Sequence, residues 1–144
     1  MDEGEALIVR TDGASRGNPG HAAAGVVIER MDGSIKAQGK RYLGIMTNNR
    51  AEYLALIDGL RAVARYAPAA VTVFMDSELV VNQMNGVYKV RDQALRPLFD
   101  TATALASALP QVTFQHVMRG ANALADRLAN EALDAERAKK SGRP

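Results

Sequence analysis

The chain of 144 residues contains no cysteine. That absence excludes disulfides, thiolate zinc sites and cysteine nucleophiles, and it agrees with a reducing compartment. With only two histidines, a histidine-rich metal centre is excluded as well. No apolar run approaches the ~18 residues needed to span a bilayer. The start, Met1-Asp2-Glu3-Gly4-Glu5, is acidic where a secretory signal is basic. The expectation is a soluble, cytoplasmic protein without a membrane partner. Its length suits one domain, expected over residues 1–138, and nothing in it demands more than a monomer. A domain of this size buries roughly 70% of its unfolded surface without staples. The last residues, Lys139-Lys140-Ser141-Gly142-Arg143-Pro144, have nothing to pack and are expected to form a flexible tail.

Net charge of either sign is small too. Lys and Arg number 18 against 16 Asp and Glu, a net charge of +2 that is ordinary for a soluble protein. If several of those acids are neutralised by cations, however, the remaining surface is basic and suits a polyanion. Charge supports that reading without establishing it.

What the chain does have is four carboxylates, each at a strand end or helix start. Asp12 follows Ala6-Leu7-Ile8-Val9-Arg10-Thr11, Glu52 lies in Thr47-Asn48-Asn49-Arg50-Ala51-Glu52, Asp76 follows Val71-Thr72-Val73-Phe74-Met75, and Asp126 opens Ala125-Asp126-Arg127-Leu128-Ala129-Asn130. Buried carboxylates repel one another unless something positive sits between them. Gathered by a fold, these four would make a site for hard divalent cations.

Strands come first along the chain and helices later. Residues 6–11 are a short apolar, β-branched run, followed by a loop dense in turn formers from Asp12 to Gly20. Residues 22–30 and 34–42 flank Asp32-Gly33, a dipeptide suited to a tight hairpin. From residue 48 the period changes. Tyr53, Ile57, Leu60 and Val63 or Ala64 recur at helical spacing, with Asn48 or Thr47 available as a cap and Pro68 past the end. Residues 71–75 read as a buried strand and 77–84 as a helix that starts at once after Asp76. A strand, a helix and a strand in succession imply a right-handed parallel crossover. The strand of residues 71–75 then lies beside that of residues 6–11, and Asp12 and Asp76 become neighbours at the sheet edge where open α/β folds place their sites. A helix over residues 93–109, a strand over Val112–Val117 and a final helix from Asn122 to about Ala138 complete the pattern, with Leu124, Leu128, Ala132 and Ala135 on its inner face.

Each acid has a simpler reading. An Asp ending a strand can be a turn former, Glu52 can complement a helix dipole, Asp76 can cap a helix, and Asp126 can be a solvated helical residue. No single position decides; the joint arrangement does.

Taken together, Thr11-Asp12-Gly13 with Gly17-Asn18-Pro19-Gly20, Thr47-Asn48-Asn49-Arg50-Ala51-Glu52, Asp76-Ser77-Glu78, and Asn122 with Ala125-Asp126-Arg127-Leu128-Ala129-Asn130 resemble the ordered signatures of type 1 ribonuclease H, over residues 6 to 135. The resemblance implies an α/β ribonuclease H-like fold, a five-stranded mixed sheet of three antiparallel and two parallel strands flanked by helices. It implies hydrolysis of the RNA strand of an RNA/DNA hybrid, without sequence specificity, leaving 3′-hydroxyl and 5′-phosphate ends. It also implies two Mg²⁺ ions, with Mn²⁺ as substitute, held ~4 Å apart by Asp12, Glu52, Asp76 and Asp126. By the same resemblance Asn18, Asn48, Asn49 and Glu78 contact the RNA strand, backbone groups of Gly13 and Ser15 lie nearby, and Thr47 helps grip a DNA phosphate. Double-stranded RNA is a second candidate substrate.

Two departures from the family pattern stand out. Many members carry a histidine in the loop before the last helix, but Met118-Arg119-Gly120-Ala121-Asn122 has none. His116 falls inside a predicted strand and reads as a structural histidine, so Arg119 is the candidate for that neighbourhood. Secondly, Gly86 to Asp92 is too short for the basic, tryptophan-bearing helix that some members use as a handle on the hybrid. Lys89 and Arg91 remain as a reduced version of it. Two other readings stay open: a catalytically silent relative that only binds hybrids or double-stranded RNA, and the same fold acting on DNA as integrases and transposases do.

Overall fold

The computed structural model describes residues 4–140. Its frame is one five-stranded sheet. β1 (Ala6–Gly17), β2 (Gly20–Arg30) and β3 (Ile35–Met46) form an antiparallel meander, and β4 (Ala70–Met75) and β5 (Val112–His116) run parallel to β1, giving the order β3-β2-β1-β4-β5. The turn between β2 and β3 falls at Asp32-Gly33 as expected, where Asp32 Oδ1 accepts the Ser34 N–H at 2.9 Å.

Adjacent strand residues point to opposite faces, and β2 shows the consequence. Val26 packs with α1 (Asn48–Ala64) in the main core, beside Leu7, Val9, Leu56, Leu60, Val71 and Val73. Val27 packs on the other face with Ala125 and Leu128 of α4 (Ala123–Lys140). Residues of α3 (Arg96–Ser107) and α2 (Glu78–Met84) also join the main core. Between α1 and α2, the buried Tyr53 hydroxyl donates to Gln83 Oε1 at 2.6 Å. That bond ties together the helix carrying Glu52 and the one that starts after Asp76.

Four expectations need correction. β1 does not end at Asp12 but continues to Gly17, because residues 12–17 keep pairing with the small residues of β2, from Asp12↔Gly25 to Gly17↔Gly20. Only the parallel ladder with β4 stops there, at Thr11↔Met75. The helix expected over residues 93–109 is shorter, Arg96–Ser107. On α4 the inner stripe is Ala125, Leu128, Ala129, Ala132 and Leu133, while Ala135 is exposed one step round the helix. Finally, Lys139 and Lys140 are not tail but the last helical residues, basic groups at the end whose dipole favours them. Ser141 to Pro144 lie outside the described residues, as do residues 1–3.

Candidate active site

Two glycines shape the surroundings of Asp12. Gly13 follows it in β1, and Gly25 lies opposite it in β2. A methyl group at Gly13 would overlap the backbone of Ala51 and Glu52. The first turn of α1 therefore sits directly on β1, and Glu52 Oε1 accepts the Gly13 N–H at 3.0 Å. A methyl group at Gly25 would overlap the carbonyl of Ala125. So α4 begins in contact with β2 on the other face, one residue before Asp126. We expect Gly25→Ala to push α4 off the sheet and lower the thermal midpoint by about 10 °C, or ~3 kcal/mol, measured by circular dichroism.

Asp76 comes from the parallel neighbour, one residue past the Thr11↔Met75 pair. Carboxylate oxygens of Asp12, Glu52 and Asp76 lie within 4.8 Å of one another. Asp126 stands outside that trio but within hydrogen-bonding reach of Asp12. Its own carboxylate is held by Asn130, whose Nδ2 donates to Asp126 Oδ1 at 3.3 Å and to its carbonyl at 3.0 Å.

Bringing these groups together has an electrostatic cost. The Asp12 carboxyl is pushed up to about 9, first by burial and then by repulsion from Glu52, Asp76 and Asp126. Glu52 is pushed up to about 8, again mainly by burial, although the Gly13 N–H and the Arg119 charge act in the opposite direction. Near neutral pH such a cluster keeps protons or takes up a cation. Its donors are all carboxylate oxygens, which suits a hard divalent ion of the Mg²⁺ or Mn²⁺ kind. The residues present fit such a group.

The acids open onto two adjoining cavities that share Asn48, Glu52 and Arg119. One, of about 180 Å³, is lined also by Asp12, Gly13, Ser15, Asp126 and Asn130. The other, of about 280 Å³, is lined also by Asp76, Ser77, His116 and Met118. Thr47, not Asn48, caps α1, its Oγ1 accepting the Arg50 N–H at 3.3 Å. The Asn48 side chain is thereby left to the cavity, while its N–H donates to Asn18 Oδ1 at 3.0 Å. Ser15 Oγ donates to the Gly17 carbonyl, and Ser77 Oγ accepts the Val80 N–H as the cap of α2. Arg119 reaches Asp76 at 3.7 Å with its own side chain 84% exposed, so it is free to meet a solvent-side anion. Asn49 sits half-buried in the first turn of α1, and Glu78 is exposed at the start of α2, outside both cavities.

His116 lies in a strand as the sequence reading had it, but it is not the structural histidine expected there. It is exposed and lines the cavity with Glu52 and Asp76, because β5 is an edge strand and His116 its last residue, in register with Met75. That register was the available signal. Asn130 was missed as well, although its position four residues after Asp126 places it on the same helix face.

Residues 10–132 match the family model described as reverse transcriptase-like. The chain is 43% identical over 133 residues to ribonuclease HI of Halobacterium salinarum, covering 92% of this chain and 67% of that protein. The chain belongs to the type 1 ribonuclease H family. The chain is also 44% identical over 130 residues to the bifunctional protein Rv2228c of Mycobacterium tuberculosis, covering 90% of the chain but only 36% of that longer relative. The crystal structure of LC11-RNase H1 in complex with an RNA/DNA hybrid superposes with a TM-score of 0.87 at 41% identity, covering 90% of this chain and 98% of that one. In this chain the segment joining Met84 to Arg96 contains no helix, and Lys89 and Arg91 lie exposed on it.

Proposed function

We propose that this protein is an endonuclease that hydrolyses the RNA strand of RNA/DNA hybrids at the Asp12 site, without sequence specificity. The observation that carries the reading is the convergence of Asp12, Glu52 and Asp76 oxygens within 4.8 Å, with two of those acids held above their ordinary pKa. Asp12, Glu52, Asp76 and Asp126 would hold two divalent ions, Mg²⁺ with Mn²⁺ as substitute. Such ions supply Lewis-acid stabilisation of the scissile phosphate and lower the pKa of the attacking water.

The chain's own residues do the rest. Water attacks phosphorus, the bond from phosphorus to the 3′ oxygen breaks, and the leaving oxygen takes a proton, so one fragment ends in a 3′-hydroxyl and the other in a 5′-phosphate. Among the described residues lining the two cavities, the side-chain hydroxyls are those of Ser15 and Ser77, and both take part in backbone hydrogen bonds. Asn18, Asn48 and Asn49 carry amides that both donate and accept, which suits a 2′-hydroxyl, and Glu78 offers a further acceptor nearby. Arg119 offers a positive charge at the cavity mouth for the RNA phosphate. Thr47 and the backbone at Gly13 and Ser15 fit contacts that orient the duplex without reading its bases.

A panel of labelled hybrid, RNA duplex and DNA duplex, each with Mg²⁺ and with Mn²⁺, tests the reading. Cleavage of the hybrid with the DNA duplex intact is the expected result, and the RNA duplex arm measures tolerance of 2′-hydroxyls on both strands. An intact hybrid that stays bound would favour a silent binder. Cleavage of the DNA duplex would favour an integrase-like activity.

A further inference from the structure

We propose that Asn122 is a positioning residue that sets the carboxylate of Asp126 in register with Asp12, and so tunes how tightly the site holds its divalent ions. The inference rests on the reading of Asp126 as one of the ligands. Asn122 ends a 3-10 turn (Arg119–Asn122) that leads directly into α4, and it is fully buried. Its Nδ2 donates to the carbonyl of Thr11 at 2.8 Å, a bond that joins residues 111 positions apart and lands one residue before Asp12. A second tie runs alongside it, from Arg10 Nη1 to the carbonyl of Ala121 at 3.0 Å. Two successive residues of β1 thus grip two successive residues of the turn.

The choice of an asparagine here is costly for the fold. Asn122 Oδ1 and Thr11 Oγ1 are both buried without a hydrogen-bond partner, and a buried acceptor left unsatisfied destabilises. An apolar side chain would pack in the same place without that cost. What an apolar side chain cannot do is take the Thr11 carbonyl. The acceptor there is a carbonyl oxygen, which requires the amide nitrogen to face it and so decides the orientation of the side chain. From Asn122 the helix rises one turn to Asp126, whose backbone is seated on Gly25 through Ala125 and whose carboxylate is held by Asn130. The tie at Asn122 is the part of this seating that refers Asp126 to the strand of Asp12 itself. Groups that orient a metal ligand in this way typically change metal affinity or activity by 10–100-fold when removed.

The test uses the full chain and measures Mn²⁺ binding to metal-free protein by the loss of the free-ion electron paramagnetic resonance signal, with no nucleic acid present. Alongside it, kcat and KM for a hybrid are measured across a Mg²⁺ titration. For Asn122→Ala we expect Mn²⁺ binding weakened by about 10-fold and a similar rise in the Mg²⁺ needed for half-maximal rate. KM for the hybrid stays within about 2-fold, because no substrate contact is removed. Thr11→Val alters the same buried pair but keeps the Thr11 carbonyl, and it should leave both metal responses unchanged. If Asn122→Ala does not fold, Asn122→Leu, close to asparagine in size, removes the same donor without adding a charge and carries the test with the same expectation. A variant that lowers the thermal midpoint yet matches wild type in Mn²⁺ binding and in its Mg²⁺ titration overturns the proposal alone. Wild-type protein that neither binds Mn²⁺ nor cuts the hybrid overturns the ribonuclease reading and this proposal with it.

Discussion

Asp12→Asn should abolish hydrolysis of the hybrid, lowering kcat by about 10³-fold or more, equivalent to ~4 kcal/mol of transition-state stabilisation, while making the metal-free protein more stable. The two effects share one cause. Asp12 is buried, faces Glu52 and Asp76 across the site, and has Asp126 within reach, so its charge is unfavourable in the fold unless a cation is present. Asparagine preserves the shape and removes the charge. We expect the thermal midpoint of the metal-free variant to rise by about 6 °C, or ~2 kcal/mol. A variant that loses activity and stability together would mean that Asp12 supports the fold and not the chemistry. Calorimetry in the presence of a chelator, beside a hybrid cleavage assay, reads both quantities.

The second large effect is on pH. Asp12 and Glu52 are held at about 9 and about 8 in the fold, against 3.8 and 4.5 for the unperturbed groups. Between those limits the native state keeps protons that the unfolded chain has released. Stability therefore falls as pH rises, by up to about 1.4 kcal/mol per unit for each such proton. The contribution is fully present below pH ~4 and is lost as pH climbs through 8 and 9. In chelator, the wild-type midpoint should decline from pH 5 to pH 9 more steeply than that of Asp12→Asn, the gap reaching at least about 6 °C. Millimolar Mg²⁺ should close that gap, since cation binding displaces the same protons. For the same reason the Mg²⁺ required for half-maximal rate should fall as pH rises. Parallel curves for the two proteins would contradict the placement of Asp12 in a buried acid cluster.

Much of this site was legible in the sequence, for reasons that can be traced residue by residue. Asp12 and Asp76 became neighbours as soon as residues 6–11 and 71–75 were read as parallel strands joined through a helix, and the sheet register bears this out. Glu52 and Asp126 took their places from the family motifs around them, and the bond from the Gly13 N–H to Glu52 marks where α1 first touches β1. What stayed hidden depends on contacts remote in the chain. The continuation of β1 past Asp12 was masked by Gly13, Ser15 and Gly17, which favour turns locally but here pair with β2, leaving the turn itself to Asn18 and Pro19. His116 was read as structural from its place in a strand, whereas at the end of an edge strand it is exposed. Asn122 stood out only as part of the family motif, and its role stayed hidden because its partner is a backbone carbonyl 111 residues away. Ala135 was placed inside by a three-residue step from Ala132, whereas the helix buries Leu133 beside it instead.

Hydrolysis of one strand by the acids around Asp12 is the claim on which the rest depends, and a single hybrid with distinguishable labels on its RNA and DNA strands tests it most directly. Incubated with Mg²⁺, it should yield RNA fragments carrying 3′-hydroxyl and 5′-phosphate ends beside an intact DNA strand, and no fragments once a chelator is added. An RNA strand left whole, or cut equally well in the presence of chelator, would contradict it.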